Sequence, residues 1–541
     1  MTRLTILSAI VIALLLPGQS AALERLCDPA HEDCRAPLIS LIDNESVGID
    51  VAFWFMEDLR FSSALVRARD RGVRVRVLMD TRANKDYPGN IAALEMLQRA
   101  GIPMREKKTG GILHWKMMLF ASQNTVEFSG ANYSSEAFVP IVPWRNYVDE
   151  VIYFTHRPSY VQGFMTKFDD VWTSVNGYEN YANVTSLQRV YPVFPIDPEL
   201  NFPPGGFRER SVSNYAAEPQ GIDAIMYRIT DRAHSDALIA TMQRGIPIRL
   251  LTEQLQYRDE SRLWHSWNVD RMWAAGQQHP IGGQPGIHIR HRRHDGLSHE
   301  KLTILKGLNM AILGSSNWTT PSSDTQLEHN LFTTDASIVA WSREHFDRKW
   351  LNLAPSPETQ PFVPLPPHIP QLVQPASGAA GQGVNVTLVW NGGPWAHKYD
   401  LFLGTNPAAL TKVLDDRELG PYQQSWTPAA PLSAGTTYYW RVVGRTMANV
   451  SRSSPTCSFS TGTGGAPPSS TCNAPPAQPQ DPVAVNEPQD SGHPTVTTPS
   501  NATQPNGVAP TPTHAPARRM PDGAILTGTN AVPRSVDAAE D

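Results

Sequence analysis

The feature that most constrains this chain is an internal repeat. Residues 49–80, IDVAFWFMEDLRFSSALVRARDRGVRVRVLMD, and residues 222–253, IDAIMYRITDRAHSDALIATMQRGIPIRLLTE, carry one pattern. A strand-length β-branched and aromatic run is followed by apolar positions at helical spacing, then a glycine (Gly72 or Gly245), then a second apolar strand. Each stretch reads as a βαβ unit, which requires parallel strands with a helix laid across them, so the fold class is α/β. A chain of 541 residues is too long for one ordinary core. The repeat says how it divides.

The register continues downstream. His114-Trp-Lys116 recurs as His299-Glu-Lys301, and Asn132 recurs as Asn317, both at an offset of 185 (299 − 114 and 317 − 132). EVIYFT at 150–155 then matches EHNLFT at 328–333, and FDDVW at 168–172 matches FDRKW at 346–350, both at an offset of 178 (328 − 150 and 346 − 168). Blocks stay aligned while insertions fall between them, so residues 23–195 and 196–353 are read as duplicated lobes sharing a site at their interface.

On a strand, residues two apart share a face, so His114 projects with Lys116 and His299 with Lys301. A second apolar strand in each copy runs into a small-residue turn ending in asparagine, SGAN at 129–132 and GSSN at 314–317, where amides can approach a ligand closely. Two imidazoles, two ammonium groups and two amides facing one another suit a phosphodiester. One histidine attacks phosphorus while the other protonates the departing alcohol, and Lys116, Lys301, Asn132 and Asn317 bind the non-bridging oxygens. Glu150 and Glu328 are placed to fix a histidine tautomer, with Ser129 and Ser315 as further supporting residues. The chemistry calls for no metal or cofactor, and the sequence shows no carboxylate cluster suited to divalent cations.

These residues, HWK…SGAN…E and HEK…GSSN…E, resemble the phospholipase D superfamily, whose signature is HxKxxxxD followed by a GSxxN-like turn. The resemblance covers roughly residues 36 to 353. It implies two α/β lobes with one active site between them and a covalent phosphohistidine, with His114 as nucleophile and His299 as acid. The signature aspartate is missing in both copies, where Ala121 and Lys306 stand instead.

The rest of the chain sets the context. Residues 1–22 read as a secretory signal peptide, with Arg3 before an apolar run and Pro17-Gly18 after it, so the protein is expected outside the cytoplasm without a membrane span in its mature form. Two close cysteine pairs, Cys27 with Cys34 and Cys457 with Cys472, fit local disulfides there. Residues 354–370 read as a proline-rich linker, 371–462 as a small β-sandwich resembling a fibronectin type III module, and 463–541 as a disordered Pro/Thr/Ala-rich tail. A formal net charge of −5 excludes a surface coated for nucleic acid. Two basic runs, REKKTGG at 105–111 and HIRHRRHDG at 288–296, place positive charge just before each HxK motif, where it could flank the cleft, although such runs are more often solvated loops; QYRDESRLWHSWNVDRMW at 256–273 reads as a loop whose closure over the site the sequence does not show. Trp54, Phe55, Trp144, Trp264 and Trp267 offer apolar contact to an acyl chain, although core packing is the commoner role. The expected enzyme is a monomeric secreted phospholipase D-type hydrolase acting on phosphatidylcholine-like lipid at a membrane or vesicle surface. A metal-independent endonuclease acting on nucleic acid and a catalytically degenerate binding protein are the alternatives.

Overall fold

The computed structural model describes residues 24–462 together with 471 and 472. The expected signal peptide and nearly all of the expected disordered tail therefore lie outside the described residues. The first lobe is built on strands β1 (Arg25–Cys27), β2 (Gly48–Ala52), β3 (Arg74–Met79), β4 (Met104–Lys107), β5 (Met117–Phe120), β6 (Thr125–Ser129), β7 (Asn146–Asp149), β8 (Ile152–Thr155) and β9 (Tyr178–Ala182). The second uses β10 (Leu200–Asn201), β11 (Ile222–Met226), β12 (Ile248–Thr252), β13 (Ile287–Arg292), β14 (Asp295–Ser298), β15 (Lys301–Leu305), β16 (Met310–Gly314), β17 (Asn330–Thr333) and β18 (Thr359–Pro361).

Two eight-stranded mixed sheets result, ordered β1-β8-β6-β5-β2-β3-β4-β9 and β10-β17-β16-β15-β11-β12-β13-β18, which is one order written twice. In each, the repeated βαβ unit supplies the parallel pair, β2 with β3 and β11 with β12, and the HxK strand lies antiparallel beside its first strand. The repeated helices, Leu59–Asp70 and Arg232–Gln243, start at Asp58 and Asp231, whose carboxylates accept from the amides of Arg60 and Ala233. Both end in a turn at which Gly72 and Gly245 take φ of 89°, a conformation that side chains resist.

The FDxxW blocks explain themselves here. Arg76 on β3 forms a bidentate pair with Asp50 at 2.7 and 2.9 Å, meets Asp169 at 2.8 Å, and lies over the rings of Phe168 and Trp172. Arg249 does the same with Asp223, Asp347, Phe346 and Trp350. Lys306, where the signature expects aspartate, pairs with Asp223 at 3.0 Å. A carboxylate at position 306 would repel Asp223, and β15 separates it from Lys301 by roughly 17 Å, well away from the histidines. Ala121, its counterpart, donates its amide to the carbonyl of Gly48 at the matching end of β5.

The lobes are joined by a common apolar core in which Leu113, Trp115, Met117 and Phe128 of the first pack with Leu302, Ile304, Leu313 and Leu331 of the second. Across this junction β7 pairs in parallel with β14. An interface with a shared core holds its two halves as one body. The 354–370 stretch is not spacer throughout, since its Thr359–Pro361 segment is an edge strand on β13. Beyond it, a three-stranded sheet and a six-stranded sheet enclose a second core around Leu388, Trp390, Tyr399, Leu401, Trp440 and Phe459. Both cysteine pairs are disulfides, Cys27–Cys34 and Cys457–Cys472. Among the described residues, no helix is long and apolar enough to cross a membrane.

Candidate active site

His114 and Lys116 lie in the extended segment that enters β5, and His299 lies one residue-pair before Lys301, the first residue of β15. Backbone pairing across the interface decides what they meet. Leu113 bridges Leu327 in parallel, and the amide of His114 donates to the carbonyl of Leu327 at 2.9 Å, which brings in the next residue, Glu328. On the other side the amide of His299 donates to the carbonyl of Asp149 at 3.1 Å, which brings in Glu150. The supporting acids are therefore exchanged between lobes. His114 Nδ1 is 2.6 Å from Glu328 Oε2, and His299 Nδ1 is hydrogen-bonded to Glu150 Oε1. All four side chains are buried. Each lobe alone holds half of each acid–histidine pair.

The two pairs sit close enough to feel one another. Lys301 of the second lobe helps depress His114, and Lys116 of the first helps oppose the rise of Glu150. A Cβ on Gly130 would meet Glu150 Oε2 at 2.7 Å, the Gly314 carbonyl at 3.2 Å and Lys301 Cδ at 3.3 Å, so only glycine lets the first turn close on the second lobe. Lys116 Nζ donates to the His114 carbonyl at 3.0 Å, and Lys301 Nζ lies 3.0 and 3.1 Å from the two ring nitrogens of His299. Asn132 and Asn317 are both buried, and the Asn132 amide oxygen has no hydrogen-bond partner. A buried amide left so is costly unless a ligand completes it.

Electrostatics separates the two histidines. Burial, followed by Lys116, Lys301, His329 and Arg228, pushes the His114 pKa well below its ordinary value, so the ring is neutral. Its Nδ1 faces the Glu328 carboxyl, the kind of contact that fixes a histidine tautomer. Glu150 goes the other way, because burial lifts its carboxyl well above the usual carboxylate range despite Lys301. Glu150 and His299 Nδ1 thus share a hydrogen bond in surroundings that disfavour the carboxylate anion.

Several sequence expectations change. Ser315 donates to Glu328 at 2.5 Å, but Ser129 is not its counterpart; at the offset of 185 that place belongs to Gly130. Ser129 instead donates to Glu127 Oε1 at 3.0 Å, and Tyr133 donates to Glu127 Oε2 at 2.8 Å. The basic runs do not line an open track. Arg105 donates to the carbonyls of Trp172 and Tyr178, Lys108 pairs with Glu106, Arg290 bonds Thr359 and Arg292 pairs with Glu253. The 256–273 stretch is mainly helical, within Gln254–Arg258 and Leu263–Gln278, and Trp267 there donates to Glu418 of the all-β region. Trp54 and Phe55 pack with Ala83, Ile112 and Tyr87, while Trp144 stacks on His31. A carboxylate cluster does exist: Asp149, Glu300 and His345 converge in the interior. The ammonium of Lys349 sits against Asp149 and 3.5 Å from Glu300, and His345 bridges Asp28 at 3.0 Å and Glu300 at 2.9 Å, so cationic side chains already occupy it.

Three site residues were missed by repeat matching. Tyr227 lies beside His299 with ring centroids 4.6 Å apart, Gln256 donates to the Tyr227 hydroxyl at 2.9 Å, and Arg228 donates to Gln256 at 2.8 Å. Their first-lobe counterparts, offset by 173, are Trp54, Phe55 and Ala83, so no repeated motif marks them.

Comparison with known proteins gives the same division of the chain. The domain family described as "Cardiolipin synthase, PLD-like domain" matches twice, over residues 38–172 and 216–350. The chain carries a duplicated phospholipase D-like domain. Mitochondrial cardiolipin hydrolase of Homo sapiens is 27% identical over 161 residues, covering 30% of this chain and 57% of that protein. The Xenopus tropicalis protein of the same name is 28% identical over 120 residues, covering 22% and 50%. The chain thus spans about half the length of these curated relatives. The crystal structure of phosphatidylserine synthase from Haemophilus influenzae Rd KW20 superposes with a TM-score of 0.50 at 14% identity, over 62% of this chain and 86% of that one, so the two-lobed phospholipase D-like fold is shared.

Proposed function

We propose that the protein is an exported phosphodiesterase of the phospholipase D type, hydrolysing a phosphatidylcholine-like phospholipid to phosphatidic acid and the free head-group alcohol. The observation that carries this reading is the pair of buried, lobe-crossing dyads, His114–Glu328 and His299–Glu150. His114 Nε2 attacks phosphorus and forms a P–N bond as the P–O bond to the head-group alcohol breaks. That oxygen takes the proton from His299 Nε2. Water then enters, gives a proton back to His299 and bonds phosphorus through its oxygen, and the P–N electron pair returns to His114. Lys116, Lys301, Asn132 and Asn317 stabilise charge on the non-bridging oxygens, in a site with little water to compete.

Lipid is favoured over nucleic acid because the curated relatives are named for cardiolipin hydrolysis and because Lys108 and Arg292 of the basic runs are paired with Glu106 and Glu253. Export rests on the leader-like residues 1–22 and the disulfides. The fibronectin type III-like sandwich serves in this reading as a spacer docked on the second lobe. The test is head-group release from phosphatidylcholine and cardiolipin vesicles beside cleavage of single-stranded DNA, in excess chelator, for wild type, His114→Ala and His299→Ala. Lipid turnover that survives chelator and vanishes in both variants supports the proposal. DNA cleavage without lipid turnover would replace it with a nuclease, and silence on all three substrates would leave a binding protein.

A further inference from the structure

The two lobes repeat the same chemistry, yet the carboxylates that orient the two histidines are not equally supported. In the second lobe the turn reads Gly314-Ser315-Ser316-Asn317, and Ser315 Oγ donates at 2.5 Å to Glu328 Oε2, the oxygen that also faces His114 Nδ1. In the first lobe the turn reads Ser129-Gly130-Ala131-Asn132, so the residue in register with Ser315 is Gly130. There is no hydroxyl at that place, and a Cβ there would stand 2.7 Å from Glu150 Oε2. The neighbouring serine, Ser129, is turned away to Glu127, which itself replaces the apolar Ile312 of the second lobe. Ser315 is held in place by more than Glu328, since its hydroxyl also accepts the amide of His329 at 3.0 Å.

We propose that this single hydroxyl, present at Ser315 and absent at Gly130, assigns the roles of the two histidines, making His114 the nucleophile and His299 the acid. The inference rests on the phosphohistidine reading above and deepens it. A hydrogen bond donated to a carboxylate stabilises its ionised form. Glu328, accepting from both Ser315 and His114, is kept as an anion and holds His114 in the tautomer whose Nε2 is unprotonated. Glu150 has only a glycine at the corresponding place and shares its proton with His299. Other charges act on both sides. Lys116, Lys301, His329 and Arg228 face His114, while Lys301, Lys116, Glu300 and Asp149 face Glu150. The two lysines are common to both lists and cannot by themselves tell the pairs apart. Ser315 is accordingly a positioning residue, acting through Glu328.

The experiment is to trap the phosphoryl-enzyme during turnover of phosphatidylcholine vesicles, quench in base, and locate the phosphoryl group by peptide mass spectrometry, for wild type, Ser315→Ala and Ser315→Thr. In parallel, kcat is measured against pH. Wild type should carry the group on His114 alone. Ser315→Ala should place a measurable share on His299 and move the acid limb of kcat upward by about one pH unit, with KM little changed, because Glu328 loses one charge-assisted donor. Ser315→Thr, which keeps the hydroxyl, should restore both. A lost fold cannot produce this pattern, because labelling on a second histidine requires an assembled site. If wild type labels His114 and Ser315→Ala does so too with an unmoved pH profile, the inference falls while the phosphohistidine reading stands. If wild type forms no phosphohistidine on either residue, the reading beneath it falls as well.

Discussion

If His299 acts only as an acid, its value depends on what leaves. Replacing it by alanine removes the proton donor for an alkoxide head group, and general acid catalysis is typically worth about 10²- to 10⁴-fold. The upper part of that range applies here, because His299 and Glu150 are 5% and 1% exposed and bulk water is poorly placed to substitute. A p-nitrophenyl ester of phosphatidic acid needs no such help, since its leaving group departs as a stable anion. His299→Ala should therefore lose roughly 10³-fold or more on phosphatidylcholine but only on the order of tenfold on the nitrophenyl ester. His114→Ala, which removes the atom that bonds phosphorus, should lose both substrates alike. The fold should survive His299→Ala, because Glu150, already pushed toward its neutral form by burial, can keep its proton when the imidazole is gone. The assay is initial-rate kcat/KM for both variants on both substrates, with melting curves as the control. Equal losses for His299→Ala on the two substrates would refute its role as acid, and retention of nitrophenyl turnover by His114→Ala alone would reverse the two roles.

Two further outcomes follow from the scaffold. Arg76→Met leaves Asp50 and Asp169 buried without their cation and should cost about 3–5 kcal/mol in urea denaturation. Arg249→Met should cost less, because Arg249 is 25% and Asp347 45% exposed at the side chain; equal losses would contradict the burial argument. Burial lifts the Glu127 carboxyl to about 8, against the donated bonds of Tyr133 and Ser129. Between its ordinary range and that value the folded chain holds a proton that the unfolded chain has released, so stability falls as pH rises through this window, by up to roughly 5 kcal/mol. Glu127→Gln should flatten that slope, as measured by urea midpoints at about pH 5 and about pH 8, and an unchanged slope would mean that Glu127 is ionised in the fold.

The repeat made the architecture readable because each half must alternate strand and helix in the same way, and an apolar strand cannot hide its period. The offset of 185 likewise located His114, Lys116 and Asn132 beside His299, Lys301 and Asn317. What could not be read was which acid serves which histidine. Glu328 is 214 residues from His114 and Glu150 is 149 from His299, and only cross-lobe backbone pairing connects them. Ser129 was grouped with Ser315 because both stand in small-residue turns; a one-residue shift in register separates them. Tyr227, Arg228 and Gln256 escaped for the opposite reason, since matching copies discards whatever differs. The charge runs misled because a lysine or arginine in a sequence does not show its partner, and Arg105 and Arg292 have theirs indoors.

The pattern of what the copies kept and what they changed is itself an argument about chemistry. The clamps Asp50–Arg76–Asp169 and Asp223–Arg249–Asp347 do the same job in each lobe, tying the βαβ unit to the last helix, and they are preserved atom for atom in kind. The surroundings of the histidines are not preserved: Ser315 faces Gly130 in the alignment, Arg228 faces Phe55, Tyr227 faces Trp54 and Ile312 faces Glu127. A site that merely gripped a ligand from two sides would gain from keeping both halves alike. A displacement at phosphorus needs a base on one side and an acid on the other at the same moment, and unlike environments fix which histidine takes which task. The differences around His114 and His299, in two lobes that keep one strand order, fit that demand.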